Sequence, residues 1–316
     1  MTRVICIGEC MVELRAAGAD AFARAYAGDA YNTAVYLKRS LPDAQVQFLT
    51  GTGDDAISRA MREAWHTEGI DDALAFIVNG GSPGLYLIEN DAAGERRFHY
   101  WRSHSAARRW FALLEDRDET VLWGADVIYL SGISLAILSP AERTGAIELL
   151  RRVRPHVGRI AFDPNVRLAL WETAQAVAAT IEDALSIADI ALPSTDDARL
   201  LFGVDDPIEQ IDRLQRTGVR EIALTLGAGG CLIADGDVRT RLPAPRVASI
   251  MDTSGAGDAF NGAYLATRLR GGSAAEAARS GLALGSRVVA HAGAVVPFSA
   301  SHPSDQRADS VDDGGL

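Results

Sequence analysis

The sequence predicts an α/β fold built on a mostly parallel central sheet, and three observations lead there. Short β-branched runs alternate with longer segments of helical period, the order expected of a sheet flanked by helices. Most of those runs are apolar throughout, as strands covered on both faces must be. Near the C-terminus a glycine-rich run leads straight into a helical segment.

Taken in order, strands are expected near residues 4–8, 46–50, 126–131, 160–163, 190–193, 221–226 and 231–234. Helices are expected near 32–40, 55–68, 140–153, 174–188, 195–202, 207–217, 257–269 and 274–291. Two regions break the alternation, 12–28 and 74–102. In the second, runs at 85–89 and 96–101 flank the turn-like Asn90-Asp91-Ala92-Ala93-Gly94. Together they predict a small antiparallel sheet, inserted as a lid into a body spanning 1–298. Residues 299–316, rich in Ser, Asp and Gly, are expected to form a disordered tail.

Hydrophobic residues make up 48% and charged residues 23% of the 316 residues, close to globular averages, which sets aside fibrous and disordered classes. The net charge of -11 argues against broad nucleic-acid binding, which relies on clustered Lys and Arg; the densest basic runs, Arg108-Arg109 and Arg151-Arg152, are only pairs. It does not exclude an anionic small substrate, because a few arginines in one cleft act at short range in a low dielectric. The opening nine residues carry one basic residue and an apolar run of about five, too short for a signal peptide or a membrane span, so a cytoplasmic protein without membrane contact is expected. Cys6, Cys10 and Cys231 are odd in number and lack a CxxC pair or a nearby His cluster, so they read as core thiols rather than disulfides or zinc ligands.

The most informative run is Asp252-Thr253-Ser254-Gly255-Ala256-Gly257-Asp258-Ala259-Phe260. Gly255, Ala256 and Gly257 can turn tightly and aim unpaired N–H groups of a first helical turn at an anion, with the helix dipole adding partial positive charge. Asp258, on that turn, would accept the proton of an attacking hydroxyl beside a bound phosphoryl group; a helix-capping Asp is the plainer alternative. No GxxxxGK[ST] occurs, which sets aside a Walker P-loop. Gly227-Ala228-Gly229-Gly230 lies between two expected strands rather than opening a helix, which disfavours a dinucleotide-binding dehydrogenase.

The run DTSGAGDAF resembles the C-terminal signature of ribokinase-like (PfkB) carbohydrate kinases, and the similarity extends over nearly the whole chain. Ala27-Gly28-Asp29-Ala30-Tyr31-Asn32-Thr33-Ala34 is similar to the family's N-terminal glycine motif, Thr50-Gly51-Thr52-Gly53-Asp54-Asp55 to its second glycine turn, and Asp163-Pro164-Asn165-Val166-Arg167 to its DxNxR segment. The resemblance implies a three-layer α/β/α sandwich with a small inserted β-sheet lid, and ATP-dependent phosphorylation of a sugar hydroxyl. Magnesium would accompany ATP, and some relatives also use a monovalent cation. Gly255, Ala256 and Gly257 would form the anion hole and Asp258 the base; Ser194, Thr225, Gly227, Gly229 and Gly230 would help to bind the nucleotide, with adenine near Leu282. The family's NxxE motif corresponds to Ser194-Thr195-Asp196-Asp197, where Asp197 keeps a carboxylate one methylene shorter. No direct metal ligand is assigned, since magnesium keeps much of its water and binds ATP oxygens.

Substrate class is read from Phe98-His99-Tyr100-Trp101-Arg102, which if extended points Tyr100 and Arg102 to one face and His99 and Trp101 to the other. Tyr supplies a hydroxyl and a ring edge, and Arg can hold a carboxylate through two parallel hydrogen bonds; Arg167 offers a second cation. A solvent-facing Arg beside core aromatics is the alternative on pattern alone. The stretches GDAYNTAVYL, YWRSHSAAR and PSTDDARLLFG resemble the family's 2-keto-3-deoxygluconate kinases more than its ribokinases or fructokinases. That resemblance implies a sugar-acid site of Gly28, Asn32, Tyr86, Tyr100, Arg102, Arg167 and Asp258. Kinases of neutral sugars and a non-catalytic sugar-sensing protein of the same fold stand as alternatives. The lid's open edge predicts pairing with a second copy of the chain into a homo-oligomer.

Overall fold

The computed structural model describes residues 1–18, 21–90, 96–115 and 117–301. In chain order its elements are β1 (Arg3–Ile7), β2 (Met11–Ala16), β3 (Phe22–Ala27), α1 (Asp29–Ser40), β4 (Gln45–Gly53), α2 (Ala56–Thr67), β5 (Ile70–Asp71), β6 (Ala75–Val78), β7 (Gly84–Asn90), β8 (Arg96–Trp101), α3 (Trp110–Glu115), β9 (Val127–Ser131), α4 (Gly132–Ala136), α5 (Pro140–Val153), β10 (Arg159–Asp163), α6 (Ala174–Ile187), β11 (Ile190–Ala191), α7 (Thr195–Phe202), α8 (Pro207–Arg216), β12 (Glu221–Thr225), β13 (Cys231–Asp235), β14 (Val238–Leu242), α9 (Ala256–Leu269), α10 (Ala274–Val288) and α11 (Phe298–Ser301).

The body is a ten-stranded sheet in the order β14-β13-β12-β11-β10-β9-β1-β4-β5, with β6 also paired to β4. Its pairings are parallel except at one edge, where β13 runs antiparallel to both β12 and β14. The reason is the link between β12 and β13: residues 226–230 are far too few for a crossover and form a hairpin instead.

Alternation along β1 sends its side chains into two separate cores. Ile5 and Ile7 pack with Trp110, Ile147, Ile181 and Leu214 of α3, α5, α6 and α8. Val4 and Cys6 pack with Val35, Trp65, Phe260 and Ala277 of α1, α2, α9 and α10. Helices therefore cover both faces, giving three layers. Trp110 is fully buried, and its indole N–H donates to the Ser134 carbonyl at 2.9 Å, so its one polar group is satisfied. Cys6, Cys10 and Cys231 are free and buried, as expected.

The second sheet has the order β3-β2-β7-β8. The expectation of a purely antiparallel sheet is corrected here: β2–β3 and β7–β8 are antiparallel hairpins, but β2 and β7 lie side by side in parallel. Two hairpins entering from the same side of the body run in the same sense where they meet. The stretch before Gly84 belongs to the body, because β6 pairs with β4.

Other boundaries also differ. The expected second glycine turn is strand: β4 continues to Gly53, and its glycines admit neighbouring carbonyls, with the Ala106 and Gly81 oxygens each 2.1 Å from where a Cβ would stand. α1 begins three residues early, at Asp29. Residues 299–301, expected to open a tail, end a short helix in which Ser301 is buried; 302–316 lie outside the described residues, as do residues 91–95 of the expected turn. Among the described residues no helix is long and apolar enough to cross a membrane.

Candidate active site

A cleft of about 350 Å³, partly open to solvent, lies at the carboxyl ends of the parallel strands. Its body wall takes Glu9 just past β1, Ile133 past β9, Asp163 at the end of β10, Ser194 past β11 and Thr225 at the end of β12. Parallel sheets place ligand crevices at this end, where the loops diverge. The opposite wall is the small sheet, which contributes Met11, Tyr86, Phe98, Tyr100 and, just past β8, Arg102.

The N-terminus of α9 opens into this cleft. Gly255 caps it at φ 73°, a left-handed conformation, and a Cβ there would lie 2.2 Å from the Ala294 carbonyl oxygen, so only glycine fits. No side chain caps the helix, and a Cβ at Gly257 would meet nothing within 4 Å. Free N–H groups at the positive end of a helix dipole, beside open space, suit an anion. Asp258 is in the first turn, and Asn32 of α1 donates to its Oδ2 at 2.7 Å while accepting from the Gly28 N–H at 3.2 Å. Three expected site residues are thus joined in one chain of hydrogen bonds. The approach of α1 to α9 that permits it depends on Gly262, where a Cβ would stand 2.7 Å from the Leu37 nitrogen.

Enclosure by the body pushes the Asp258 carboxyl up to about 7, and Asp29 pushes the same way; the Asn32 hydrogen bond and Arg167 pull against them. A carboxyl poised near neutrality is suited to take a proton and give it up again. The neighbouring acid, Asp163, is pushed well above the ordinary range by burial and by Asp197, Asp29 and Asp258. Its oxygens accept from the Asn165 N–H at 3.0 Å and from the Asn261 amide at 2.9 Å. Asn165 sits at φ 32°, the one positive φ among the described non-glycine residues, and its amide donates to Asp29 at 2.9 Å. Backbone held in so sparsely populated a region at a cleft is a mark of a functional site.

On the opposite wall Tyr100 and Arg102 do share the cleft face, while His99 and Trp101 pair on the other face with ring centroids 6.5 Å apart. Tyr100, Phe98 and Tyr86 form a triangle of rings, with Tyr100 stacked on Phe98 at 6.3 Å and tilted against Tyr86 at 5.7 Å. The Tyr86 hydroxyl donates to Glu13, so its ring rather than its hydroxyl meets the cleft. Arg102 is ion-paired with the buried Glu9, a partner the sequence reading did not include. Arg167 is exposed, lines the cleft and donates to the Val166 carbonyl at 2.9 Å.

Of the expected nucleotide-binding residues, Ser194, Thr225, Gly255 and Gly257 line the cleft; Ala256 follows the Gly255 cap, and Gly227, Gly229 and Gly230 form the hairpin link away from it. Among the described residues no group of three or more His, Cys, Asp or Glu is arranged to hold a metal ion. Asp197 has both oxygens committed, to the Val166 N–H at 2.7 Å and to Ser194 at 2.6 and 2.9 Å. A divalent ion carried in on a nucleotide's phosphates would need few protein ligands. Glu9, Asp29, Asp163, Asn165 and Asn261 are among the site residues to which the sequence reading gave no role. Three of them lie inside the quoted glycine and DxNxR motifs, and Glu9 follows the first strand's terminal glycine.

The sequence pattern of the pfkB family of carbohydrate kinases fits residues 1–300. The 2-dehydro-3-deoxygluconokinase of Escherichia coli is 39% identical over 307 residues, covering 94% of this chain and 98% of that one. The enzyme of the same name from Dickeya dadantii is 41% identical over 303 residues, covering 93% and 96%. Among solved structures, a PfkB protein from Polaromonas matches with a TM-score of 0.81 at 26% identity, over 96% of this chain and 100% of that one. A mostly parallel sheet between two helical layers, a small separate sheet over its carboxyl ends and a glycine-capped helix facing the cleft are thus a family architecture: the chain belongs to the pfkB carbohydrate kinases, with the ribokinase-like fold expected of them.

Proposed function

We propose that the protein transfers the γ-phosphoryl group of ATP to the C6 hydroxyl of 2-keto-3-deoxygluconate, giving the 6-phosphate and ADP. The observation that carries the substrate is the presence of Arg102 and Arg167 in the same cleft as Asp258. Two cations sharing a cleft with a base suit a sugar that carries a carboxylate as well as a reacting hydroxyl. Relatives of that name at 39% and 41% identity support the same choice.

In this reading Asp258 takes the proton of the C6 hydroxyl, and Asn32 holds its carboxylate in line. The free N–H groups at the Gly255 cap face the charge that spreads over the transferring phosphoryl oxygens. A divalent ion arriving with ATP would offset further phosphate charge. The small sheet acts as a lid whose closing excludes the water that would otherwise hydrolyse ATP. Its open edges, β3 and β8, are where a second copy would pair, which sedimentation of the purified protein tests.

The substrate is tested by ADP release with ATP and magnesium, comparing 2-keto-3-deoxygluconate with fructose, ribose and gluconate. The expected outcome is a kcat/KM at least about a hundredfold higher for the keto-deoxy acid, as a paired polar contact can discriminate. Preference for a neutral sugar would keep the kinase and remove this substrate.

A further inference from the structure

The chain passes between the body and the small sheet four times, and all four passages meet at Glu9. β1 leads to β2 through Glu9 itself. β3 returns to α1 through Gly28, where a Cβ would lie 2.1 Å from the Glu9 carbonyl oxygen. The third passage enters β7 at Gly84, where a Cβ would lie 2.8 Å from Glu9 Oε1 and 3.2 Å from Arg102 Cβ. The fourth leaves β8 at Arg102, whose Nη2 is ion-paired with Glu9 Oε2.

Glu9 is 1% exposed and the Arg102 side chain 10%. Both Glu9 oxygens, Nε and Nη2 of Arg102 and the Ser105 hydroxyl are shut off from water, and Arg102 and Ser105 are the groups that hydrogen-bond the Glu9 carboxylate. A buried ion pair is a weak source of stability, so its presence at a junction that faces the cleft calls for another role. Both residues line the cleft beside Tyr100.

We infer that Glu9 is a positioning residue, whose buried carboxylate fixes the Arg102 guanidinium at the rim of the sugar site and so sets how well a substrate carboxylate is recognised. It acts through Arg102 and touches no reacting atom. Burial pushes the Glu9 carboxyl above the ordinary range, while Arg102 and a hydrogen bond from Ser105 pull against it. Because the same pair ties the last strand of the small sheet to the body, the set of that sheet and the recognition of an acid depend on one contact. The inference rests on the sugar-acid reading above.

Glu9→Gln removes the charge and keeps the shape. KM for the keto-deoxy acid is expected to rise at least about tenfold, toward the hundredfold that about an ångström of misplacement can cost, with kcat and the KM for ATP held within about threefold. In an Arg102→Ala background the same change is expected to move KM by less than about twofold, since a residue acting through a partner loses its effect with that partner. An unchanged KM overturns the inference, and so does a rise that persists undiminished without Arg102. Should Glu9→Gln not fold, Glu9→Asp keeps the charge and withdraws it by one methylene; the same selective rise is expected, and its absence overturns the role. A wild-type enzyme with no preference for the acid overturns the substrate reading and this inference with it, before any variant is made. A wild type that prefers the acid, with a KM indifferent to Glu9, overturns the inference alone.

Discussion

On the body side of the cleft Asp163 and Asn261 are 7% and 2% exposed, and their polar groups are committed to named partners at 2.9 to 3.3 Å. On the small-sheet side Tyr100 and Phe98 are 53% and 42% exposed, and what they share is ring stacking. The first wall is rigid, enclosed and acidic, with its carboxyls pushed toward neutral forms by burial and by one another. The second is aromatic and half open, with a buried ion pair where it joins the body. Enclosure shifts proton affinities and serves chemistry; open aromatic surface fits a sugar and can be covered or uncovered. The contrast teaches that damage to the first wall should appear in turnover, and damage to the second in KM.

The strongest way to break that division is Asp258→Asn. Turnover is expected to fall by about two to four orders of magnitude, the usual worth of a catalytic base, while nucleotide binding measured by calorimetry persists. The same variant has an opposite effect on stability. In the folded protein Asp258 holds its proton up to about 7, whereas in the unfolded chain it is lost near the ordinary carboxylate range of about 4. Its contribution to stability is therefore fully present below the lower value and lost as pH rises through the upper one. Melting curves should show Asp258→Asn more stable than the wild type at pH 8 and no different at pH 4.

Next in size, Arg102→Ala should raise the KM for the keto-deoxy acid about ten- to a hundredfold, the scale of a lost charge-assisted hydrogen bond, and spare any activity on neutral sugars. Equal loss on both would merge the two walls into one function. Smaller again is a shift in pH profile. Wild-type kcat/KM should fall below pH about 7 as Asp258 takes up its proton, and Arg167→Met, which removes a cation that lowers that proton affinity, should move the limb to higher pH. A limb that stays in place would detach Arg167 from the base. The smallest effect expected is Tyr100→Phe, with KM raised about two- to tenfold by loss of one neutral hydrogen bond and kcat unchanged.

The enclosed wall was the more legible one. Periodicity gives α5 and α7 to the residue, because the Ser139 and Ser194 caps with their partners Glu142 and Asp197 mark each start from within the local sequence. The GAGD run is equally local, so Gly255 and Asp258 could be named from the chain alone. Asn165 and Asp29 were harder, since their importance lies in a hydrogen bond to each other across 136 residues. Glu9 could not be read at all: a lone Glu after a strand looks like any solvated residue, and only the convergence of four chain passages buries it. The parallel seam between β2 and β7 was hidden for the same reason, as no local pattern states where two separate hairpins meet.

The hydrogen bond from Asn32 to Asp258 closes a loop of 226 residues. Contacts of such sequence separation form late, since the ordering of the intervening chain must come first. A nascent chain would therefore fold much of its sheet before it has a working base, and the carboxyl that does the chemistry would be set only when the last long helices dock on the first. Regain of activity after dilution from denaturant should trail the return of helical signal, which makes catalysis itself a reporter of whether the two ends of the polypeptide have met.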